Sequence, residues 1–225
     1  MEKIQVFLES ASHKTFCGAL EWPGWCRSGR DEDSALQALL AYAPRYVEVL
    51  QADGLSFPEV NDISQLVVVE RVPGNATTDF GAQDAVLASD HEAISDAEVE
   101  RFQAIIGACW HKLEQVARAA EGRELRKGPR GGGRDLTRIL EHVIESNQAY
   151  LARLAYTVQR LDPQDLPTEI QTIRQADQAA IDNAMRNGLP HSGPRGGRIW
   201  TLRFFVRRVA WHVLDHAWEI EDRMQ

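Results

Sequence analysis

Residues 207–223 read RRVAWHVLDHAWEIEDR. Val209, Val213 and Ile220 recur there at helical spacing, and His212 and His216 stand four residues apart on the same apolar stripe. Side chains at i and i+4 lie one above the other on a helix face, so the two imidazoles converge on one point. A polar group in an apolar setting costs free energy unless it is satisfied. The pair therefore asks for a partner elsewhere in the chain, and the stretch predicts a C-terminal helix over residues 201–223.

Working back from that helix, three more amphipathic stretches appear. Ser95 and Glu98 form a capping box that opens a helix to about Ala120, with Phe102, Ile105, Ile106, Leu113 and Val116 as its apolar stripe and Gly122 as its stop. Asp135 caps a second helix, predicted to run to about Leu161 before Pro163 and Pro167 break it. Its stripe includes Leu136, Ile139, Leu140, Val143, Ile144, Leu151 and Leu154. A third begins near Thr168 and ends at Asn187-Gly188, a favourable left-handed cap. Four such helices with Gly-rich connections read as a four-helix bundle.

The N-terminal third has a different pattern. Residues 4–9 and 15–20 alternate as a strand pair, and Pro23-Gly24 breaks the second strand. Helical spacing starts at Asp33, and Pro44 either ends that helix or starts another. Residues 66–72, LVVVERV, are the strongest strand signal. Trp22 and Trp25 read as packing residues that anchor a loop. The fold class is thus α+β: a small sheet-plus-helix unit over 1–75, a polar linker over 76–94 and a helical domain over 95–225.

Bulk properties exclude several functions. The 225 residues carry a net charge of −8 and a pI near 5.4. That balance opposes nucleic-acid binding, where phosphate neutralisation supplies most of the affinity. No apolar run reaches the length of a membrane span, and MEKIQVFLES lacks the pattern of a signal peptide. Cys17, Cys26 and Cys109 have no metal-type spacing, which suits a reducing compartment. The expected location is cytoplasmic, with a small-molecule substrate, no nucleic acid and no membrane; a homodimer is allowed.

The second helix offers the partner for the histidine pair. His142 lies on the stripe of Ile139 and Val143, so three imidazoles fall on the inward faces of two helices. This is the donor set of a three-histidine site with open positions, although a single histidine on an apolar face is ordinarily a satisfied core residue. Neutral imidazole suits zinc, nickel, copper or iron(II). A di-iron carboxylate site needs Glu-x-x-His. Here Ile139, Val209 and Val213 hold the positions three before each histidine, which excludes that type.

Glu145 and Glu219 share the faces of the histidines. Either could be a fourth ligand, an orienting partner or a general base. The plainer expectation is two flanking ion pairs, Arg138 with Glu219 and Arg208 with Glu145. Two similar loops, GPRGGGR at 128–134 and GPRGGR at 193–198, read as connections whose arginines serve solubility and ion pairing. If either helps bind an anionic substrate it is the first, through Arg130 and Arg134, because it lies toward the metal end.

Two resemblances follow from these residues. The stretches LTRILEHVIESNQAYLARL and RRVAWHVLDHAWEIEDR resemble the DinB-like, or YfiT-type, four-helix-bundle family over residues 95–225. That resemblance implies a divalent metal, zinc or nickel foremost and iron also allowed, on His142, His212 and His216. It further implies a hydrolase or a transferase dependent on a low-molecular-weight thiol. GALEWPGWCRSGRDEDSALQALLAY resembles the HicB-like fold found in antitoxins. That likeness implies the alternative, a non-catalytic metal-binding or interaction protein of the stress-response kind.

Overall fold

The computed structural model describes residues 2–127, 133–158, 165–193 and 197–224. The fold is α+β, with a four-stranded mixed sheet and long helices. The chain divides into two compact units. One is Met1–Ala108 with Val206–Trp211, and the other is Cys109–Phe205 with His212–Gln225.

In the first unit, β1 (Ile4–Ser10) pairs antiparallel with β2 (Thr15–Ala19), Val6 facing Ala19 and Leu8 facing Cys17. β3 (Cys26–Gly29) continues the sheet beside β2, giving the order β3-β2-β1-β4. Gly24, at φ 94°, supplies the left-handed residue that turns the chain back into β3. β4 (Leu66–Pro73) joins β1 in parallel, with an irregularity between Val6 and Phe7. A parallel return needs a crossover, and α1 (Glu32–Ala41) and α2 (Ala43–Ala52) provide it. Asp31 caps α1 through Ser34, and Pro44 sits in the first turn of α2. Of the two readings of Pro44, the helix start is the one observed.

Apolar side chains of the strands meet in a core that includes Phe7, Phe16, Cys26, Leu87 and Trp211. Trp25 is fully buried. It donates from Nε1 to the Leu39 carbonyl at 2.9 Å and stacks on Tyr46 at 6.0 Å. The stretch 76–94 carries α3 (Ala76–Phe80) and is tied to the sheet. The buried Glu9 carboxylate accepts the Thr78 hydroxyl at 2.5 Å and the backbone N–H groups of Asp84 and Ala85 at 2.9 and 3.1 Å. Three donors thus satisfy a charge that burial alone would penalise.

Four long helices follow: α4 (Asp96–Ala120), α5 (Leu136–Ala152), α6 (Leu166–Asn187) and α7 (Leu202–Met224). Ser95 and Glu98 form the expected capping box of α4, and Asp135 caps α5 through the Arg138 N–H. α5 is shorter than predicted, stopping at Ala152 rather than near Leu161. Its last turn tightens through Arg153 N–H to the Tyr150 carbonyl, and Ala155 takes a left-handed φ of 54°. The Trp200 N–H satisfies the Arg153 carbonyl at 2.9 Å, so the helix end is closed by a distant segment. Pro167 lies inside the first turn of α6, behind the Asp165 cap, where its missing N–H costs nothing.

Candidate metal centre

α5 buries Ile139, Val143, Ile144 and Leu151, which fixes its rotation and sets His142 at the margin of that apolar face. In α7, Val213, Leu214, Ala217 and Ile220 are buried around His212, itself only 6% exposed. Hydrophobic burial therefore orients both helices. It leaves the three imidazoles facing one another, with ring centroids 4.7 to 5.2 Å apart. His212 Nε2 lies 3.4 Å from His142 Nε2. One ligand atom from each of His142, His212 and His216 falls within 4.8 Å of the others.

The imidazoles have specific supports. His216 Nδ1 is 2.8 Å from Glu219 Oε2, and Arg223 Nη1 donates to Glu219 Oε1 at 2.7 Å. Arg223 also donates from Nε to the Arg126 carbonyl at 2.8 Å and from Nη2 to the Arg134 carbonyl at 2.7 Å. One guanidinium thus ties the end of α7 to the segment leading into α5. Gly133, at φ 140°, lets Arg223 approach, since a Cβ there would meet Nη2 at 2.7 Å.

Protonation follows the same geometry. Burial lowers the pKa of His142, and the charges of His216 and Arg134 lower it further, while Glu145 and Glu219 oppose them. The neutral, lone-pair-bearing ring is thereby favoured. Burial pushes the Glu219 carboxyl up. The hydrogen bonds and charges of His216 and Arg223 outweigh it and hold that carboxyl below its ordinary range.

The expected ion pairs are corrected by this arrangement. The partner of Glu219 is Arg223, one turn along the same helix, rather than Arg138. Arg208 donates to the Gln83 carbonyl and lies 5.2 Å over the Trp211 ring, rather than serving Glu145. Glu145 is exposed, and its part at the site is its charge near His142. Arg134 is exposed beside the centre and contributes its carbonyl to Arg223, whereas Arg130 lies outside the described residues.

No protein-family model, curated protein or solved structure matches the chain. What can be said of the centre therefore comes from its own donors and their surroundings. Sequence reasoning missed three of those surroundings. Arg223 stands four residues after Glu219, a spacing that supports an ion pair. Tyr150 lies two helical turns after His142. Its ring meets His212 edge-on at 5.6 Å, and Trp200 lies 5.2 Å from Tyr150. Among the described residues no helix is long and apolar enough to cross a membrane.

Proposed function

We propose that the chain is a metal-dependent enzyme of the DinB-like type, holding a divalent ion on His142, His212 and His216. The observation that carries this reading is the convergence of three imidazole ligand atoms within 4.8 Å. At a metal–nitrogen distance of about 2.05 Å, tetrahedral ligands stand about 3.4 Å apart. The His142–His212 separation of 3.4 Å fits that spacing.

The surroundings fit ligation as well. In the metal-bound state a neutral His216 would donate Nδ1–H to Glu219 and offer Nε2 to the ion, the arrangement common to metal-bound histidines. Arg223 fixes Glu219 in that role and balances its charge. Imidazole donors suit zinc, nickel or iron(II). Three protein ligands leave a position for a small molecule. When bound, such an ion lowers the pKa of a coordinated water or thiol and supplies a nucleophile at neutral pH. That chemistry serves hydrolysis or thiol-dependent transfer.

Elemental analysis of the purified protein tests the reading. The wild type is expected to carry near-stoichiometric divalent metal, and a His142→Ala/His212→Ala/His216→Ala variant to carry none. Equal metal content in the two proteins would remove the site. A finer prediction concerns Glu219. Losing an orienting carboxylate weakens metal affinity by roughly 10–100-fold in comparable sites. Glu219→Gln should therefore shift the metal titration by that factor against a chromophoric chelator, and an unshifted curve would reduce Glu219 to a structural residue.

A further inference from the structure

Tyr150 stands against the histidine cluster and Trp200 against Tyr150, each ring with part of its surface exposed. This sets them apart from Trp25, Trp110 and Trp218, each no more than 1% exposed. Tyr150 touches His212 edge-on with centroids 5.6 Å apart, and Trp200 is tilted 36° against Tyr150 at 5.2 Å. Behind them, Phe204 is buried and meets Trp200 edge-on at 4.8 Å. The Trp200 N–H is bound to the Arg153 carbonyl, so the indole is carried by an anchored backbone. The rings run outward from a proposed ligand, and the outer one is backed by the buried Phe204.

The polarity of the centre is divided along its length. α5 and α7 run antiparallel here, since Arg134 before α5 meets Arg223 near the end of α7, whereas Tyr150 late in α5 meets Trp200 before α7 begins. The charged groups Glu219, Arg223 and Arg134 are gathered at one end, and the aromatic rings at the other. Aromatic rings attract other rings in edge-to-face and offset geometries. Recognition sites combine such apolar surface with a few polar groups that fix orientation.

We infer that the substrate of this centre carries an aromatic ring next to its metal-binding donor, and that Tyr150 and Trp200 receive that ring. The inference rests on the metal reading above and adds the chemical class of the molecule it takes. In this role Tyr150 and Trp200 set specificity, and Phe204 only supports them.

Cobalt-loaded protein supplies the test, because ligand binding is read from the visible spectrum of the ion and needs no turnover. Benzohydroxamate and acetohydroxamate present the same chelating group with and without a ring. The wild type is expected to bind the aryl compound about tenfold more tightly, the upper range for a ring–ring contact. Trp200→Ala and Tyr150→Ala should each remove most of that preference while acetohydroxamate affinity stays within about twofold. Trp200→Leu keeps the apolar volume without a ring face. It should lose the preference with an unchanged melting curve, which separates recognition from folding. Equal affinities for the two compounds in the wild type, or an aryl preference that survives all three variants, would overturn the inference and leave the metal reading intact. Failure of the wild type to take up cobalt would overturn both.

Discussion

Asp90→Ala is expected to destabilise the first unit by about 3–5 kcal/mol, the cost of leaving a buried charge without its counter-ion. Arg207 Nη2 and Nε reach the Asp90 carboxylate at 2.6 and 3.1 Å, and the two side chains are 5% and 2% exposed. Arg207 Nη1 donates to Gln83 at 3.0 Å, and the guanidinium lies 4.7 Å over the Phe7 ring. Asp90 also accepts the Leu87 N–H at 2.8 Å, which helps hold Leu87 in the core. Removing the carboxylate takes two charge-assisted hydrogen bonds from a buried guanidinium that cannot lose its proton. The complementary double variant, Arg207→Met with Asp90→Leu, leaves no unpaired charge and should cost much less than either single change. Urea midpoints of the wild type, the single variants and the double variant decide the matter. Single variants within about 1 kcal/mol of wild type would mean that water reaches the pair and screens it.

What could be read from the sequence depended on how local its cause was. His142, His212 and His216 were legible because a helix converts spacing directly into direction, and the apolar stripes of α5 and α7 fixed which way each histidine faced. The capping residues Ser95, Asp135 and Asp165 act within one turn, and the helix starts follow them closely. β3 was missed because CRSG has neither alternation nor β-branched residues; its strand character comes from β2 alongside it. The end of α5 was missed for a similar reason. Pro163 and Pro167 were visible stops, yet the helix closes earlier, at Ala152, where Ala155 turns left-handed and the Trp200 N–H, far along the chain, takes the capping carbonyl of Arg153.

The carboxylates near the histidines show the same divide. Glu219 was placed correctly beside the cluster, but its partner was sought on another helix when Arg223 lay one turn away. An i,i+4 pair needs no assumption about helix packing, whereas the Arg138 pairing required the level of two helices to be right. The opposite holds for the buried polar group of α6. Asp177 lies on that helix's apolar face with Ala176 and Ala180, and its partners Trp110 and Asn147 come from α4 and α5. No spacing within α6 announces them.

That buried carboxylate should make the stability of the second unit fall as pH rises. Burial pushes the Asp177 pKa from 3.8 up to about 7, although hydrogen bonds from Trp110 and Asn147 oppose the shift. Trp110 Nε1 donates at 2.8 Å and Asn147 Nδ2 at 2.7 Å, too few contacts to repay full desolvation of the charge. Below pH 3.8 both folded and unfolded chains hold the proton, and no penalty exists. Between 3.8 and about 7 the unfolded chain releases it while the folded chain keeps it, so stability declines across that window and levels off above it. From pH 5 to pH 8 the decline is about 3 kcal/mol at 1.36 kcal/mol per pH unit within the window. Asn147 Oδ1 is buried without a hydrogen-bond partner. Asp177→Asn provides the neutral form at every pH. It should be increasingly more stable than wild type as pH rises from 5 to 8, by about 3 kcal/mol over that range in urea unfolding. Parallel stability curves for the two proteins would show that Asp177 is ionised across that range and that its two donors, Trp110 and Asn147, suffice.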